Sequence, residues 1–237
     1  MQQVSSPNAD VAYLHEATRR ALETDDAHAR VRGTPLEKEL LSDKALEASL
    51  QQALASPHHQ GDLWLFAYGS LIWNPAILHD ERRLATVRGY HRRFCLRSRL
   101  NRGTPEHPGL VLGLEHGGSC RGVAYRIPSA RVENELRLLW RREMMLGSYV
   151  PHWLHADAGG ERLRVLGFVV NHRSSGYAAN VPDRTIIEIL ARSSGRFGKG
   201  LDYLRQTAAG LSASGIFDRR IERLDRLAAE FAHASAR

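Results

Sequence analysis

Several things are scarce in this sequence. Its 237 residues hold two cysteines, Cys95 and Cys120, and three lysines, Lys38, Lys44 and Lys199. No apolar run approaches the roughly 20 residues that a membrane-spanning helix requires. Met1 to Asp10 is polar and has no apolar core of the kind a secretory leader carries. Each scarcity excludes something. The cysteines fall in segments that read as different strands and lack the spacing of a metal site, so buried free thiols in a reducing compartment are expected. Without a span or a leader, the expectation is a soluble, cytoplasmic protein with no membrane partner. Repeats and low-complexity tracts are also lacking, and one domain with a helical extension is the simplest account.

What is present is an ordinary globular composition, 43% hydrophobic and 25% charged, long enough to bury one sizeable core. The formal charge is +7, with 33 Lys and Arg against 26 Asp and Glu, nearly all of it arginine. That balance permits nucleic-acid binding. The arginines are scattered, however, and alternate with acids, as in Asp218-Arg219-Arg220-Ile221-Glu222-Arg223. A continuous basic stripe with interleaved aromatics is missing, so no nucleic-acid partner is expected. A small anionic substrate, or solubility alone, accounts for the charge equally well.

Residues 1–60 read as a helical extension. Val11, Leu14, Ala17, Ala21 and Leu22 recur at helical spacing, as do Leu36, Leu40, Leu41, Ala45 and Leu50, with Gly33-Thr34-Pro35 between the two segments. Pro57 to Gly61 closes the second, and no residue here suggests chemistry. The character changes at Leu63. Leu63 to Tyr68 is a short apolar run ended by Gly69-Ser70, which predicts a buried strand entering a tight turn. Strands are predicted over 84–99, 110–116, 120–127, 148–156 and 163–171, and helices over 129–146, 183–194, 199–210 and 216–233. That order predicts an α+β fold for residues 61–237, with a curved or barrel-like mixed sheet and packed helices, rather than alternating βαβ units.

The helix predicted over 129–146 carries the most informative residue. Val132, Leu136, Leu139 and Trp140 form its apolar stripe, and Glu143 falls about 20° from Val132 around the axis. Glu133 and Glu135 lie off that stripe and read as solvated charges. A carboxylate on the core-facing side has two readings. One is an ion pair with an arginine, although the adjacent Arg141 and Arg142 make poor partners because neighbours on a helix do not face each other. The other is a carboxyl in a pocket, its pKa raised by desolvation and suited to moving protons near neutral pH. Tyr68-Gly69-Ser70-Leu71 likewise reads either as a strand-ending turn or as a loop whose N–H groups hold an oxyanion.

Other motifs fail. Tyr68 occupies the first glycine position of a G-x-S-x-G elbow, so Ser70 is not a hydrolase nucleophile. Gly198-Lys199 lacks both the earlier glycine and the following Ser or Thr of a phosphate loop. His152 and His155 lie in an extended segment with no third ligand, so no metal and no cofactor are expected.

Read together, the motifs resemble the ChaC-type γ-glutamylcyclotransferases, the glutathione-specific branch. The resemblance is carried by Trp64 to Pro75, by Gly89-Tyr90-His91-Arg92-Arg93-Phe94, by Arg102-Gly103-Thr104-Pro105 with Pro108-Gly109, by Gly122 to Pro128, by Trp140-Arg141-Arg142-Glu143-Met144 and by Gly147-Ser148-Tyr149. These blocks stand in family order and cover about residues 62 to 210. One departure is Ala67, where the family usually has glycine. The resemblance implies a γ-glutamylcyclotransferase-like fold and cleavage of glutathione to 5-oxoproline and cysteinylglycine, by attack of the γ-glutamyl α-amine on its own γ-carbonyl. It implies Glu143 as the catalytic acid and base, and Tyr68, Gly69, Ser70 and Leu71 as the substrate loop. It places Tyr149 and Tyr177 where hydroxyls could hold the glutamyl carboxylate. Two alternatives stay open: a cyclotransferase for other γ-glutamyl peptides or amines, and a non-catalytic protein that regulates transport.

Overall fold

The computed structural model describes residues 16, 18–24, 31–59 and 61–235. Val11, Leu14 and Ala17 of the first expected helix lie outside the described residues; residues 18–24 are helical. The second expected helix divides in two. Pro35 opens a short 3₁₀ turn over Pro35–Glu39, and helix α1 (Asp43–Leu54) starts afresh where the Ser42 Oγ accepts the Ala45 N–H at 3.2 Å. α1 is no loose accessory. Leu46, Leu50 and Ala53 join the main hydrophobic core, and Ser49 accepts a 2.7 Å hydrogen bond from the Trp140 indole.

A closed five-stranded barrel organises the rest. Its strands are β1 (Leu63–Ala67), β2 (Glu81–Ser98), β3 (Gly109–Ile127), β4 (Tyr149–Ala158) and β5 (Glu161–Val170). Around the barrel the order is β1-β3-β2-β4-β5, closed by parallel pairing of β1 with β5. The sheet is therefore mixed, as predicted, and most of its ladders are antiparallel. β1 reads as an uninterrupted apolar run because both its faces are covered: Leu63, Leu65, Phe66 and Ala67 are all buried.

The sequence predicts two strands where the structure has one. β3 continues through Gly117 and Gly118, which take positive φ of 100° and 72° opposite a bulge at Gly89, φ 82°, on β2. Glycines there bend the hairpin around the barrel without ending the ladder, since a bulge adds local twist and curvature.

Helix α2 (Ser70–Trp73) is a single turn following β1, and α3 (Val132–Glu143) lies between β3 and β4. After β5 come α4 (Asp183–Arg192), a two-residue hairpin of β6 (Ser194–Gly195) and β7 (Gly198–Lys199), α5 (Gly200–Ala213) and α6 (Arg219–Ser235). Their buried faces, among them Ile186, Leu190, Leu204, Leu211 and Leu224, belong to the same core as the barrel. Cys95 and Cys120 are buried free thiols on β2 and β3, and burial pushes the Cys95 thiol up to about 12. No described helix is long and apolar enough to cross a membrane.

Candidate active site

Glu143 is the last residue of α3, one turn beyond the buried Leu139 and Trp140, so its carboxylate emerges where the helix meets the barrel mouth. Its side chain is 14% exposed. Desolvation pushes its pKa above the ordinary 4.5, against the pull of Arg142. Arg142 is in fact its ion-pair partner, with Nε 3.0 Å from Oε1, which corrects the expectation that neighbours on the helix do not meet. Both side chains are largely covered, at 12% and 14% exposure, so the pair is shielded from water. The guanidinium is held there by α2: one Nη donates to the Asn74 carbonyl at 2.7 Å and the other to Ser70 Oγ at 3.0 Å.

The loop Tyr68-Gly69-Ser70-Leu71 turns from β1 into α2. Ser70 and Leu71 are the first residues of that turn, so their N–H groups have no acceptor within it. Ser70 lines the cleft, while Tyr68 and Leu71 are buried beside it. The Tyr68 hydroxyl donates to the Phe168 carbonyl at 2.8 Å, and burial holds its pKa well above 10.0.

Glu143 lies in a cleft of about 420 Å³, bounded by α2, the ends of β2 and α3, the loop after β2, the 194–199 hairpin and α5. Tyr149 forms one wall; its O–H is committed to the Leu112 carbonyl at 2.9 Å, and it too is pushed well above 10.0 by burial. Tyr203, from α5, accepts the Leu112 N–H at 3.3 Å, and no described group takes its own proton, leaving that donor for the cleft. Burial raises this phenol to about 12, so it stays protonated.

Arg102 is 7% exposed, lies over the rings of Trp73 and Tyr203 and contacts neutral acceptors alone: the Lys199 carbonyl at 3.4 Å and the Gln206 amide at 3.2 Å. Among the described residues no carboxylate pairs with it, and desolvation lowers its pKa. Its position depends on a tight loop. A Cβ at Gly103 would fall 2.1 Å from the Gly109 nitrogen, and one at Gly109 would fall 2.3 Å from the Arg102 carbonyl. A basic cleft with one desolvated carboxyl, a spare phenol and a guanidinium without a carboxylate partner suits a small zwitterionic or anionic substrate needing proton transfer.

The sequence model of the family described as ChaC-like protein matches residues 63–231. The chain belongs to the ChaC-like family. It is 39% identical over 185 residues to the glutathione-specific γ-glutamylcyclotransferase of Escherichia coli (strain K12), covering 77% of this chain and 80% of that one. It is 34% identical over 167 residues to glutathione-specific γ-glutamylcyclotransferase 1 of Homo sapiens, covering 67% and 75%. The fold is similar to that of a crystal structure of a γ-glutamyl cyclotransferase specific to glutathione from yeast, with a TM-score of 0.68 at 20% identity, covering 73% of this chain and 97% of that one.

Within this ChaC-like chain, the structure brings Glu143, Ser70 and Tyr149 to one cleft and places Tyr68, Gly69 and Leu71 behind it. Tyr177 does not join them. Its hydroxyl donates to Glu115 at 3.0 Å, its ring packs on His172, and it lines no part of the cleft. The loop 171–178 that carries it pairs with β2 at Arg97 and Cys95. Sequence reasoning missed Arg142, Arg102, Tyr203, Thr18 and Leu22. Arg102 and Arg142 stood within the quoted motifs; Tyr203, Thr18 and Leu22 had no local signal, since only tertiary packing brings them to the cleft.

Glu135, read as solvated, is 2% exposed. Arg19 binds both its oxygens, at 2.6 and 3.0 Å, and the Leu78 N–H donates to one at 3.0 Å. The periodicity of α3 alone could not reveal that residues 18–24 cover that flank.

Proposed function

We propose that this ChaC-like protein is a glutathione-specific γ-glutamylcyclotransferase, acting in the cytoplasm on a small-molecule substrate. The observation that carries the reading is Glu143, a desolvated carboxyl at the end of α3 with a raised pKa and free access to a basic cleft. The curated relatives reported above bear the name of this activity, and the reaction it names needs this kind of group.

In the proposed mechanism the substrate supplies its own nucleophile. The γ-glutamyl α-amine attacks the γ-carbonyl; the new N–C bond closes the five-membered ring while the C–N bond to cysteine breaks. Glu143 takes a proton from the attacking amine and returns one to the departing amine of cysteinylglycine, so 5-oxoproline forms without water. Because both reacting groups belong to one molecule, the protein contributes chiefly by folding the glutamyl chain into the reactive shape. The N–H groups of Ser70 and Leu71 face the developing oxyanion, Tyr203 offers a phenolic proton, and Arg102 receives a substrate carboxylate. Tyr149 shapes the wall. All these groups lie in residues 61–237, which we take as the catalytic unit.

Incubating the purified chain with glutathione, and in parallel with γ-glutamyl-alanine, and reading products by mass spectrometry tests the proposal. Release of 5-oxoproline and cysteinylglycine from glutathione is expected, with much slower turnover of the alanine peptide. Turnover of the alanine peptide at a similar rate would move the chain to a broader γ-glutamyl specificity. No turnover of either by a folded sample would leave the transport-regulating reading.

A further inference from the structure

The family match begins at residue 63, yet two residues of the N-terminal segment, Thr18 and Leu22, line the cleft that holds Glu143. We propose that the helical segment 18–24 is a wall of the active site and a determinant of which γ-glutamyl peptide it accepts. This rests on the cyclotransferase reading of the cleft and adds to it a substrate-selecting element outside the matched region.

The segment is fixed on three sides. Arg19 neutralises the buried Glu135 of α3 through both oxygens, and buried carboxylates are held in place by such paired, charge-assisted bonds. The Asn74 amide donates to Thr18 Oγ1 at 2.9 Å, and Thr18 is itself buried. Arg141 donates to the Leu22 carbonyl at 3.3 Å, while the Leu22 side chain packs with Ala76 and Leu138. The contact reaches the catalytic group through few atoms. Asn74, which touches Thr18 by its side chain, also accepts the Arg142 guanidinium on its carbonyl, and Arg142 pairs with Glu143.

The wall brings an aliphatic side chain and a hydroxyl, and no formal charge, into a cleft that Arg97, Arg102 and Arg196 also line. It therefore suits the uncharged body of the substrate, leaving carboxylates to the arginines. Narrowing the cleft on that side favours one size of leaving group over another.

The test uses the full chain and three variants: Arg19→Glu, the exchanged pair Arg19→Glu with Glu135→Arg, and Leu22→Ala. Hydrogen exchange reads docking of residues 18–24; steady-state kinetics with glutathione and γ-glutamyl-alanine read the wall. In the wild type the segment is expected to be protected. Arg19→Glu should lose that protection and raise KM for glutathione about tenfold, the factor that losing one buried aliphatic contact corresponds to. Its kcat should change less than its KM, and its discrimination between the two peptides should shrink. The exchanged pair should recover protection and KM together. Leu22→Ala should keep the segment docked yet raise KM for glutathione relative to the alanine peptide. An unprotected segment in the wild type, or an undocked variant with unchanged KM and selectivity, would overturn the proposal. A wild type that turns over neither peptide would sink the catalytic reading instead. The wall is then tested by calorimetric binding of glutathione, where equal affinity of the wild type and Arg19→Glu, or binding to neither, overturns it.

Discussion

The two ends of α3 each carry a carboxylate withdrawn from water, and they are finished differently. Near the start, Glu135 has both oxygens bound by Arg19 and a further bond from the Leu78 N–H. At the end, Glu143 receives a single nitrogen of Arg142, whose other two nitrogens donate to Asn74 and Ser70. Glu135 is saturated and serves to fasten one piece of chain to another. Glu143 is desolvated and under-satisfied, so its neutral form is favoured more than in an exposed carboxyl. A third acid, Glu115, sharpens the contrast. Burial raises its pKa, yet hydrogen bonds from His172 and Tyr177 outweigh that and leave it lowered. Burial alone does not make a reactive carboxyl; the count of donors around it decides.

Three substitutions, read in four measurements, probe this difference. The largest effect is expected for Glu143→Gln, which should cut 5-oxoproline formation by about 10²–10⁴-fold, the range for losing a general acid-base group. Circular dichroism should show the fold unchanged. Wild-type turnover in the folded Gln variant would remove Glu143 from its role.

Glu135→Gln should act on stability, since it leaves Arg19 facing a neutral amide. A Tm lowered by roughly 2–12 °C is expected, from about 1–3 kcal/mol for a broken charge-assisted contact. The acid limb of its rate profile should stay where Glu143 places it. A displaced limb would mean that the two ends of the helix are not independent.

Arg142→Gln removes the group that holds the Glu143 pKa down, so the acid limb of kcat/KM should move to higher pH. No movement, or movement to lower pH, would show that Arg142 does not tune the carboxyl.

The smallest effect concerns stability against pH. Glu143 has a folded pKa above its unfolded one, so its stabilising share is complete below 4.5 and is lost as pH rises through the raised value. The neutral Glu143→Gln chain should therefore melt no lower than the wild type at mildly alkaline pH, with the gap closing toward pH 4.5. A Gln variant that is less stable throughout would indicate a structural ion pair.

Much of this was legible in the sequence wherever a signal is local. The apolar run Leu63 to Ala67 gave a buried strand, and the α3 stripe placed Glu143 on the inner side. The order of strands and helices gave an α+β fold with a curved sheet, although nothing in it announced full closure of the barrel. Gly117 and Gly118 misled because a bulge that bends a strand uses the same residues as a turn that ends one. The site was less legible than the fold. Helical periodicity ranks faces by hydrophobicity, so it could not show that residues 18–24 cover the Glu135 flank. Nor could it show that α5 delivers Tyr203 beside Gly69, where a Cβ would lie 3.4 Å from the phenol oxygen. Tyr177 follows the cleft strands in sequence order, but its hydroxyl donates to Glu115 while its loop pairs with β2 at Arg97 and Cys95.

The central claim is that burial raises the pKa of Glu143 above that of an ordinary carboxyl. A ¹³C NMR titration of the glutamate side chains, with the Glu143 signal assigned by its loss in Glu143→Gln, measures this directly. A midpoint above 4.5 that moves upward in Arg142→Gln is the predicted result. A midpoint at or below 4.5 would make Glu143 an ordinary ion-pair partner and contradict the account.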